Sequence, residues 1–446
     1  MSGTAARTQR ERDFQRLWLA QGVSTFGSLI TRAALPFTAA LALQASAAQM
    51  ALLAAANLVA GLVVAPLAGP WLDRRTRKPV MLACDIVRAG ILAVIPVAAL
   101  GGHLSFGLLL IVQALSGAFS TVFDVAQGSW LPELVGEEQL VHANARLAST
   151  NAVAEMASFG LAGWLVQWFG GPITIALDAL SYLGSALALV GIRTPERLAA
   201  TSVGASAAGR ASAGEVPQAH AQASEGLSLA RTLAGWLAEV REGLHVAFAD
   251  PALAALAAAE AALFGAFGVF MACYTLFATR ELALPTGPLG MVFGLGGLAS
   301  FGASLWAPRL GGRLGVQRSM ALGLALGMCG LVLAVLAPAG LPAVALAALA
   351  AQQLVGDGGW TLFLVHSGSL RLQLAPAHAR ARVVAGAHAL GVAAMLAGSL
   401  LGALIAGRSS ARAALASGAA LIVLGMLPVL GNALRDGIQR VAGSVA

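Results

Sequence analysis

Long apolar runs, each sufficient to cross a bilayer, decide what this chain can fold into. They read at 17–45, 49–71, 79–100, 104–128, 142–168 and 171–192, and again at 252–279, 287–310, 317–338, 341–365, 381–406 and 411–434. A helix rises 1.5 Å per residue, so about 20 apolar residues cover a hydrocarbon core of about 30 Å. Inside that core every backbone N–H and C=O needs a protein partner, and within a single run of this length only a helix supplies them all. The sequence therefore predicts an all-α polytopic membrane protein of twelve transmembrane helices embedded in lipid. Composition agrees, since only 11% of residues are charged, against roughly 25% in soluble domains.

The loops orient the chain. Of the 27 Lys and Arg residues, 21 fall in the termini and alternate loops of one side, and only Arg280, Arg408 and Arg412 lie on the other. The positive-inside bias places both termini in the cytoplasm. The net charge of +7 thus belongs to short loops and gives no reason to invoke nucleic acid. The basic start, through Arg16, precedes an apolar run too long for a secretory leader. Cys84, Cys273 and Cys329 sit in apolar runs without metal or disulfide spacing. The sequence contains no Walker-type loop, nucleophile elbow or zinc helix, so neither an enzyme nor a cofactor nor a metal is expected.

A polar interruption divides the runs into two sets of six. Residues 198–228 are rich in Ala, Ser and Gly and read as a linker. Residues 229–248 carry apolar positions at helical spacing opposite Arg231, Glu239, Arg241 and Glu242. They read either as an amphipathic helix on the cytoplasmic face or as an extension of the seventh membrane helix. The expected organisation is a six-helix bundle at 1–192, a linker at 193–250 and a second bundle at 251–446.

Between the second and third runs lies Gly69-Pro-Trp-Leu-Asp73-Arg74-Arg75-Thr76-Arg77-Lys78. A partial copy follows in the second set as Leu310-Gly-Gly312-Arg313-Leu-Gly315-Val-Gln-Arg318, with Arg313 matching Arg74 at an offset of 239. Gly312 stands in place of Asp73, so the copy keeps the turn and loses the carboxylate. The stretches beginning at Leu131 and Arg371 align at an offset of 240. The spacing of Gly69, Asp73, Arg74, Arg77 and Lys78 resembles the signature loop between helices 2 and 3 of the major facilitator superfamily. Thr76 occupies the place of that signature's second Gly. Local strings (Phe14 to Gln21, Ala34-Leu-Pro36, Asp85-Ile-Val-Arg88, Phe123-Asp124, Leu177-Asp178) are similar to the bacterial branch with macrolide and multidrug efflux proteins and the enterobactin exporter. The resemblance implies two pseudo-symmetric six-helix bundles that rock around a midplane site. It also implies a gating cluster of Asp73, Arg77 and Asp124 that latches the halves when the transporter faces outward. The alternative for that cluster is a solvated charge network. One departure is Ser158-Phe159-Gly160-Leu-Ala-Gly163, which lacks the Pro that antiporters often carry in helix 5.

Ionisable residues inside membrane helices are costly and mark function by default. Glu155 lies near the middle of the fifth run, where it either exchanges a proton or is held by Arg32 of the first run. Arg32 either binds an anionic part of a substrate or serves only as that counter-ion. Asp85 and Arg88, three apart, share a helix face, and Asp85 and Asp178 are the next proton candidates. Glu260 reads as interfacial. Asp357, between glycines, has no assigned role beyond structural pairing. Phe26, Phe37, Phe264, Phe267 and Phe270 are the expected cavity aromatics. Together these readings describe a monomeric secondary transporter of the bacterial cytoplasmic membrane. It would exchange protons for a hydrophobic or amphipathic small molecule, and is therefore expected to be a multidrug-type efflux antiporter. Siderophore export, lysophospholipid flipping and a non-transporting receptor or scaffold are the alternatives.

Overall fold

A chain of apolar runs separated by short polar turns folds into antiparallel helices, and the computed structural model shows them. It describes residues 2–194 and 229–445. The first set is α1 (Ser2–Phe37), α2 (Ala47–Leu72), α3 (Arg77–Leu100), α4 (Phe106–Val135), α5 (Glu137–Phe169) and α6 (Gly171–Val190). α7 (Leu229–Ala249) precedes the second set of α8 (Pro251–Leu276), α9 (Thr286–Leu314), α10 (Val316–Val335), α11 (Pro342–Leu374), α12 (Arg380–Arg408) and α13 (Ala411–Leu430). A terminal helix, α14 (Asn432–Val445), closes the described chain. No strand occurs among the described residues.

Several helices outrun the apolar segments that announced them. α1 begins at Ser2 rather than 17, and α11 continues to Leu374 rather than 365. Hydropathy reports only the part that lies in lipid, whereas a helix can continue into water on polar residues. The last run, read at 411–434, is two helices. α13 stops at Leu430 before an extended Gly431, and α14 starts afresh at Asn432. α7 is a helix of its own and not an extension of α8. The Asp250 side chain caps α8 by accepting from the N–H groups of Ala252 (2.8 Å) and Leu253 (3.1 Å), which starts a new helix at Pro251. The linker read at 198–228 lies outside the described residues.

The internal repeat reaches the backbone. α1 ends in a π-helical turn at Thr38–Ala42 and α8 ends in another at Phe277–Glu281. Just beyond, Gln44 and Ala283 both stand at φ 51°. The amide of Ala45 bonds Ala39 O at 2.9 Å, and the amide of Leu284 bonds Ala278 O at 3.0 Å. All these pairs are 239 residues apart, the offset of the loop motif.

Within the first set α1 packs on α5 and α6, α3 on α4 and α6, and α2 on α4; in the second, α8 packs on α12 and α13, and α11 on α9 and α10. The sets meet chiefly along α5 with α9 and along α2 with α12. One face of the bundle carries both ends of the chain. There Asp13 accepts from the N–H groups of Arg193 (3.1 Å) and Thr194 (2.8 Å), and Arg440 pairs with Asp250 at 2.9 Å. α7 lies on the same face against α12, fixed by an ion pair between Glu242 and Arg382.

Among the described residues, nine helices are long and apolar enough to cross a membrane. Among the other long helices, α1, α5 and α11 cross the bundle beside them but do not reach that apolarity. Their polar residues have a common destination.

Candidate functional site

α1, α5, α8, α9 and α11 enclose a cavity of about 830 Å³ between the two sets of helices. Three less apolar helices supply its charges: Arg32 from α1, Glu155 from α5 and Asp357 from α11. Aromatic rings from α1, α5, α8 and α9 form much of the remaining wall. Phe293 of α9 lies 6.5 Å from Phe37, 6.2 Å from Phe159 and 5.3 Å from Tyr274, ring centre to ring centre. These rings join the two sets. Phe270 and Tyr274 continue the wall at 4.3 Å.

The end of the cavity away from the termini is shut by direct backbone packing. Gly290 of α9 is so close to α5 that a Cβ there would sit 2.7 Å from Gly163 Cα and from Phe159 O. Gln167 Oε1 accepts from the Gly287 N–H at 2.8 Å, and Arg280 donates to Ala40 O at 3.0 Å. α5 has no Pro in this stretch and uses small residues to let backbones meet. Toward the face that bears the termini, the lining continues to Ser149 and Ser304.

Glu155 and Arg32 both face this cavity and both are exposed within it. No ion pair joins them among the described residues, so the cavity does not fix Glu155 as a partner of Arg32. Asp357, to which the sequence assigns no role beyond structural pairing, lines the cavity, whereas its flanking glycines face elsewhere. Gly356 packs against Gly330 and Gly359 against Gly323 and Gly327, which presses α11 onto α10. Asp357 turns toward α9, where Gly296 makes room: a Cβ there would strike the Asp357 carboxylate. Both it and Glu155 line the cavity. Of the expected aromatics, Phe37, Phe267 and Phe270 line the cavity. Phe26 instead packs with Ile30 and Ala162, and Phe264 packs on Trp360 at 5.4 Å. Phe159, Phe293, Phe301 and Tyr274 were missed, because aromatic content alone does not say which face of a helix is lined.

Asp85 and Asp178 are elsewhere. Asp85 is fully buried in an ion pair with Arg88, inside the first set of helices. The Arg88 guanidinium lies over the rings of Phe123 (4.6 Å) and Tyr182 (4.1 Å) and donates to Ser120 at 3.2 Å. Asp178, also buried, accepts from the Ser181 hydroxyl at 2.9 Å. Arg77, buried at the start of α3, pairs with Glu133 of α4 at 3.4 Å. Glu133 is thus one carboxylate that meets the loop cation in this conformation. Glu260 is buried and ion-paired with Arg371, a structural contact between α8 and α11.

The two loop motifs differ as their sequences differ. Thr76 has extended backbone (φ −74°, ψ 135°), whereas Gly315 stands at φ 82°, ψ 156°, a conformation open to Gly and poor for Thr. Lys78 donates to the carbonyls of Val190 (3.1 Å) and Ile192 (2.6 Å), and Gln317 does the same to Val429 (2.8 Å) and Gly431 (3.4 Å). Each pair of equivalent residues is again 239 apart. Asp73, Arg74, Gly312, Arg313 and Arg318 are exposed, and Gly69 has open space beside it.

Comparison with known proteins fits this architecture. The family model of the Major Facilitator Superfamily matches residues 17–385. An uncharacterized MFS-type transporter, YvqJ of Bacillus subtilis, is 25% identical over 143 residues, covering 32% of this chain and 34% of that protein. Macrolide efflux protein A of Streptococcus pyogenes is 26% identical over 186 residues, 41% of this chain and 45% of that protein. The chain thus aligns with less than half the length of either relative. A bacterial homologue of the iron transporter ferroportin, in its inward-facing state, superposes with a TM-score of 0.68 at 20% identity, covering 94% of this chain and 98% of that one. The peptide transporter POT superposes at 0.66 with 15% identity, covering 96% and 95%. At such identities the two structures speak for the fold alone. With a family model that spans most of its length and a multi-pass helical fold repeated at 239 residues, the chain belongs to the Major Facilitator Superfamily.

Proposed function

We propose that this protein is a secondary transporter of a bacterial cytoplasmic membrane that exports hydrophobic or amphipathic small molecules in exchange for protons. The observation that carries this reading is the cavity of about 830 Å³ between the two sets of helices, walled by aromatic rings and bearing Arg32, Glu155 and Asp357. Its volume suits a drug-sized cargo. The macrolide efflux relative supports cargo of that class.

In this reading the halves, 1–192 and 251–446 joined by 193–250, rock as units about the cavity. Both termini are cytoplasmic by the distribution of Lys and Arg, so the conformation described above faces inward. The loop of Gly69, Asp73, Arg74, Arg77 and Lys78 would latch the cytoplasmic face when the transporter turns outward, with Asp124 drawn in. Gly312, Arg313, Gly315 and Arg318 would form the matching turn of the second half, without a carboxylate to clamp. Glu155 would carry the proton, and a monomer is the working unit.

The test is efflux of lipophilic dyes and macrolides from cells, wild type beside Glu155→Gln. Wild-type efflux should stop with an uncoupler and should fall at least tenfold in the variant, the scale of lost acid–base function. Efflux by neither protein, at equal membrane abundance, would defeat the exporter reading. Uncoupler-sensitive efflux that survives Glu155→Gln would move the proton to another carboxylate.

A further inference from the structure

We infer that the seam between α2 and α12 is a phospholipid site. One acyl chain fills the slot there, its ester carbonyls accept from His388 and Trp236, and the bound lipid holds the halves apart at the face that bears the termini. This rests on the rocking of the halves proposed above and is independent of the cargo.

The slot has a volume of about 360 Å³ and shares no lining residue with the central cavity. α2 walls it from Asn57 to Pro66, α12 from Ala385 to Val392, and Trp236 of α7 completes it. The stretch from Asn57 to Pro66 runs about 14 Å along α2, so the slot averages about 5 Å across. One hydrocarbon chain fits that width, whereas a helix, about 10 Å thick, does not. Val59 of α2 and Val384 of α12 stand beside the slot and are exposed, so in a membrane the solvent that borders it is lipid. His388 and Trp236 both line the slot, and neither side chain makes a hydrogen bond among the described residues. Polar groups that meet hydrocarbon without a partner are costly. Each offers an N–H donor. α12, about 43 Å long, matches a bilayer with its headgroups, and His388 stands about 12 Å from its start. That depth lies just below the boundary where the ester groups of a lipid supply acceptors. Beyond the ends of the two helices, exposed Arg380 and Arg75, which lies over the Trp71 ring at 4.5 Å, bring positive charge to the level of the phosphate.

The walls of the slot belong to different halves. α7 is fixed to α12 by the ion pair of Glu242 with Arg382 and by close backbone contact. A Cβ on Gly243 would strike Arg382 O, and one on Gly386 would come 2.9 Å from the Leu244 N–H nitrogen. Trp236 and His388 therefore move with the second half, while α2 moves with the first. Rocking that closes the face bearing the termini brings α2 toward α12 and α7, and the slot must empty. A ligand that binds only one of two conformations shifts the population toward it. The lipid thus favours the conformation described above, and the halves release it each time they close.

The experiment reconstitutes purified full-length protein in bilayers of phosphatidylethanolamine and phosphatidylglycerol, the latter carrying a diazirine midway along one acyl chain. Irradiation is followed by mass spectrometry of the peptides. Adducts should concentrate on 57–66 and 385–392 relative to Leu187 and Leu424, which are exposed on other helices. Ala65→Phe and Ala385→Phe each fill the slot and should cut its adducts about tenfold. Adducts at Leu187 should stay unchanged, which shows that these variants fold. His388→Leu should cut the slot adducts about fivefold, the scale of one lost hydrogen bond. Spin labels replacing Gln139 and Gln373, exposed on the same face of the two halves, report their separation in a Cys329→Ser background. Adding phospholipid to delipidated protein in detergent should lengthen that separation in wild type and leave it unchanged in Ala65→Phe. Uniform labelling, slot adducts that both Phe variants leave in place, or a separation that ignores phospholipid overturns the inference. Adducts displaced by an exported dye would make the slot a cargo site and overturn it too. Dye efflux from cells keeps the two readings apart. If labelling and separation behave as expected while no probe is exported, the exporter reading alone has failed; if efflux persists with uniform labelling, the lipid site alone falls.

Discussion

Two sets of ionisable side chains sit at membrane depth in this protein, and their surroundings differ. Inside the first half, Asp85 pairs with Arg88, Arg88 stacks on Phe123 and Tyr182, and Asp178 is held by Ser181. In the cavity, Arg32 and Glu155 are exposed and make no ion pair with each other, and Asp357 is only partly buried. Depth alone does not distinguish a functional carboxylate from a structural one. What distinguishes them is whether the protein has already satisfied the charge. In the first set Asp85 and Arg88 neutralise each other, although Asp85 Oδ2 and Arg88 Nε find no further hydrogen bond; in the second, Arg32 and Glu155 make no such pair among the described residues.

The largest expected effect comes from breaking the satisfied set. Arg88→Ala leaves Asp85 buried without its cation, which should cost about 3–5 kcal/mol and show as a large drop in thermal unfolding temperature in detergent. Replacing both members, as Asp85→Asn with Arg88→Gln, should recover most of that loss, because no uncompensated charge remains. Equal losses in the single and double variants would show that pairing is not what this cluster contributes. Glu155→Gln and Asp357→Asn should instead stay within about 0.5 kcal/mol of wild type while altering transport. A cavity variant that destabilised as strongly as Arg88→Ala would erase the distinction between the sets.

The seam between the halves shows the same division of labour on the backbone. Along α5 and α9, Gly163 and Gly290 bring main chains into contact at the closed end. Along α2 and α12, the space between the helices is wider and Trp236 of α7 lines it beside His388 and Asn57. Gly290→Leu should therefore cost about 1–3 kcal/mol through overpacking and hold the closed end apart. Cysteines placed near Gln167 should become accessible from outside in that variant. Leucine at Gly61 of α2, which lines that wider space and whose added Cβ would come 3.3 Å from the Thr121 hydroxyl of α4, should have a smaller effect on both stability and accessibility. Equal effects at the two seams would mean that the close α5–α9 approach is incidental.

How far these differences could be read beforehand depends on what each side chain faces. The membrane helices and the 239-residue repeat follow from hydropathy and spacing, because a membrane forces each run into a helix whatever its neighbours are, whereas the break at Gly431 that makes two helices of the last run does not. The difference between Thr76 and Gly315 was also legible, since only the Gly allows positive φ. Glu155 and Arg32 could be picked out as charges at depth. Asp357 could not be assigned, because its glycines serve contact with α10 and its direction is set by Gly296 on another helix. The π-helical turns that end α1 and α8, and the partner of Arg77, depend on packing that no local pattern encodes.

The smallest effect belongs to a contact outside the lipid, where a charge is satisfied at a helix end. Asp250 caps α8 and meets Arg440 of α14 at 2.9 Å. Burial opposes its charge, but the Leu253 and Ala252 N–H groups and the Arg440 guanidinium outweigh it and hold the carboxyl below its ordinary value of 3.8. A carboxyl lowered on folding contributes stability that is complete above its unfolded value and fades as pH falls through the lowered one. Asp250→Ala should therefore cost about 1 kcal/mol at neutral pH, and the difference from wild type should shrink only in acid below the usual carboxylate range. Arg440→Ala should cost less, because that side chain is 59% exposed and solvent screens the pair. If the deficit of Asp250→Ala were unchanged in strong acid, the cap would act through shape and not through charge. The contrast with Arg88 would then widen: one ionised group inside the membrane is needed for its charge, and the one at its surface is not.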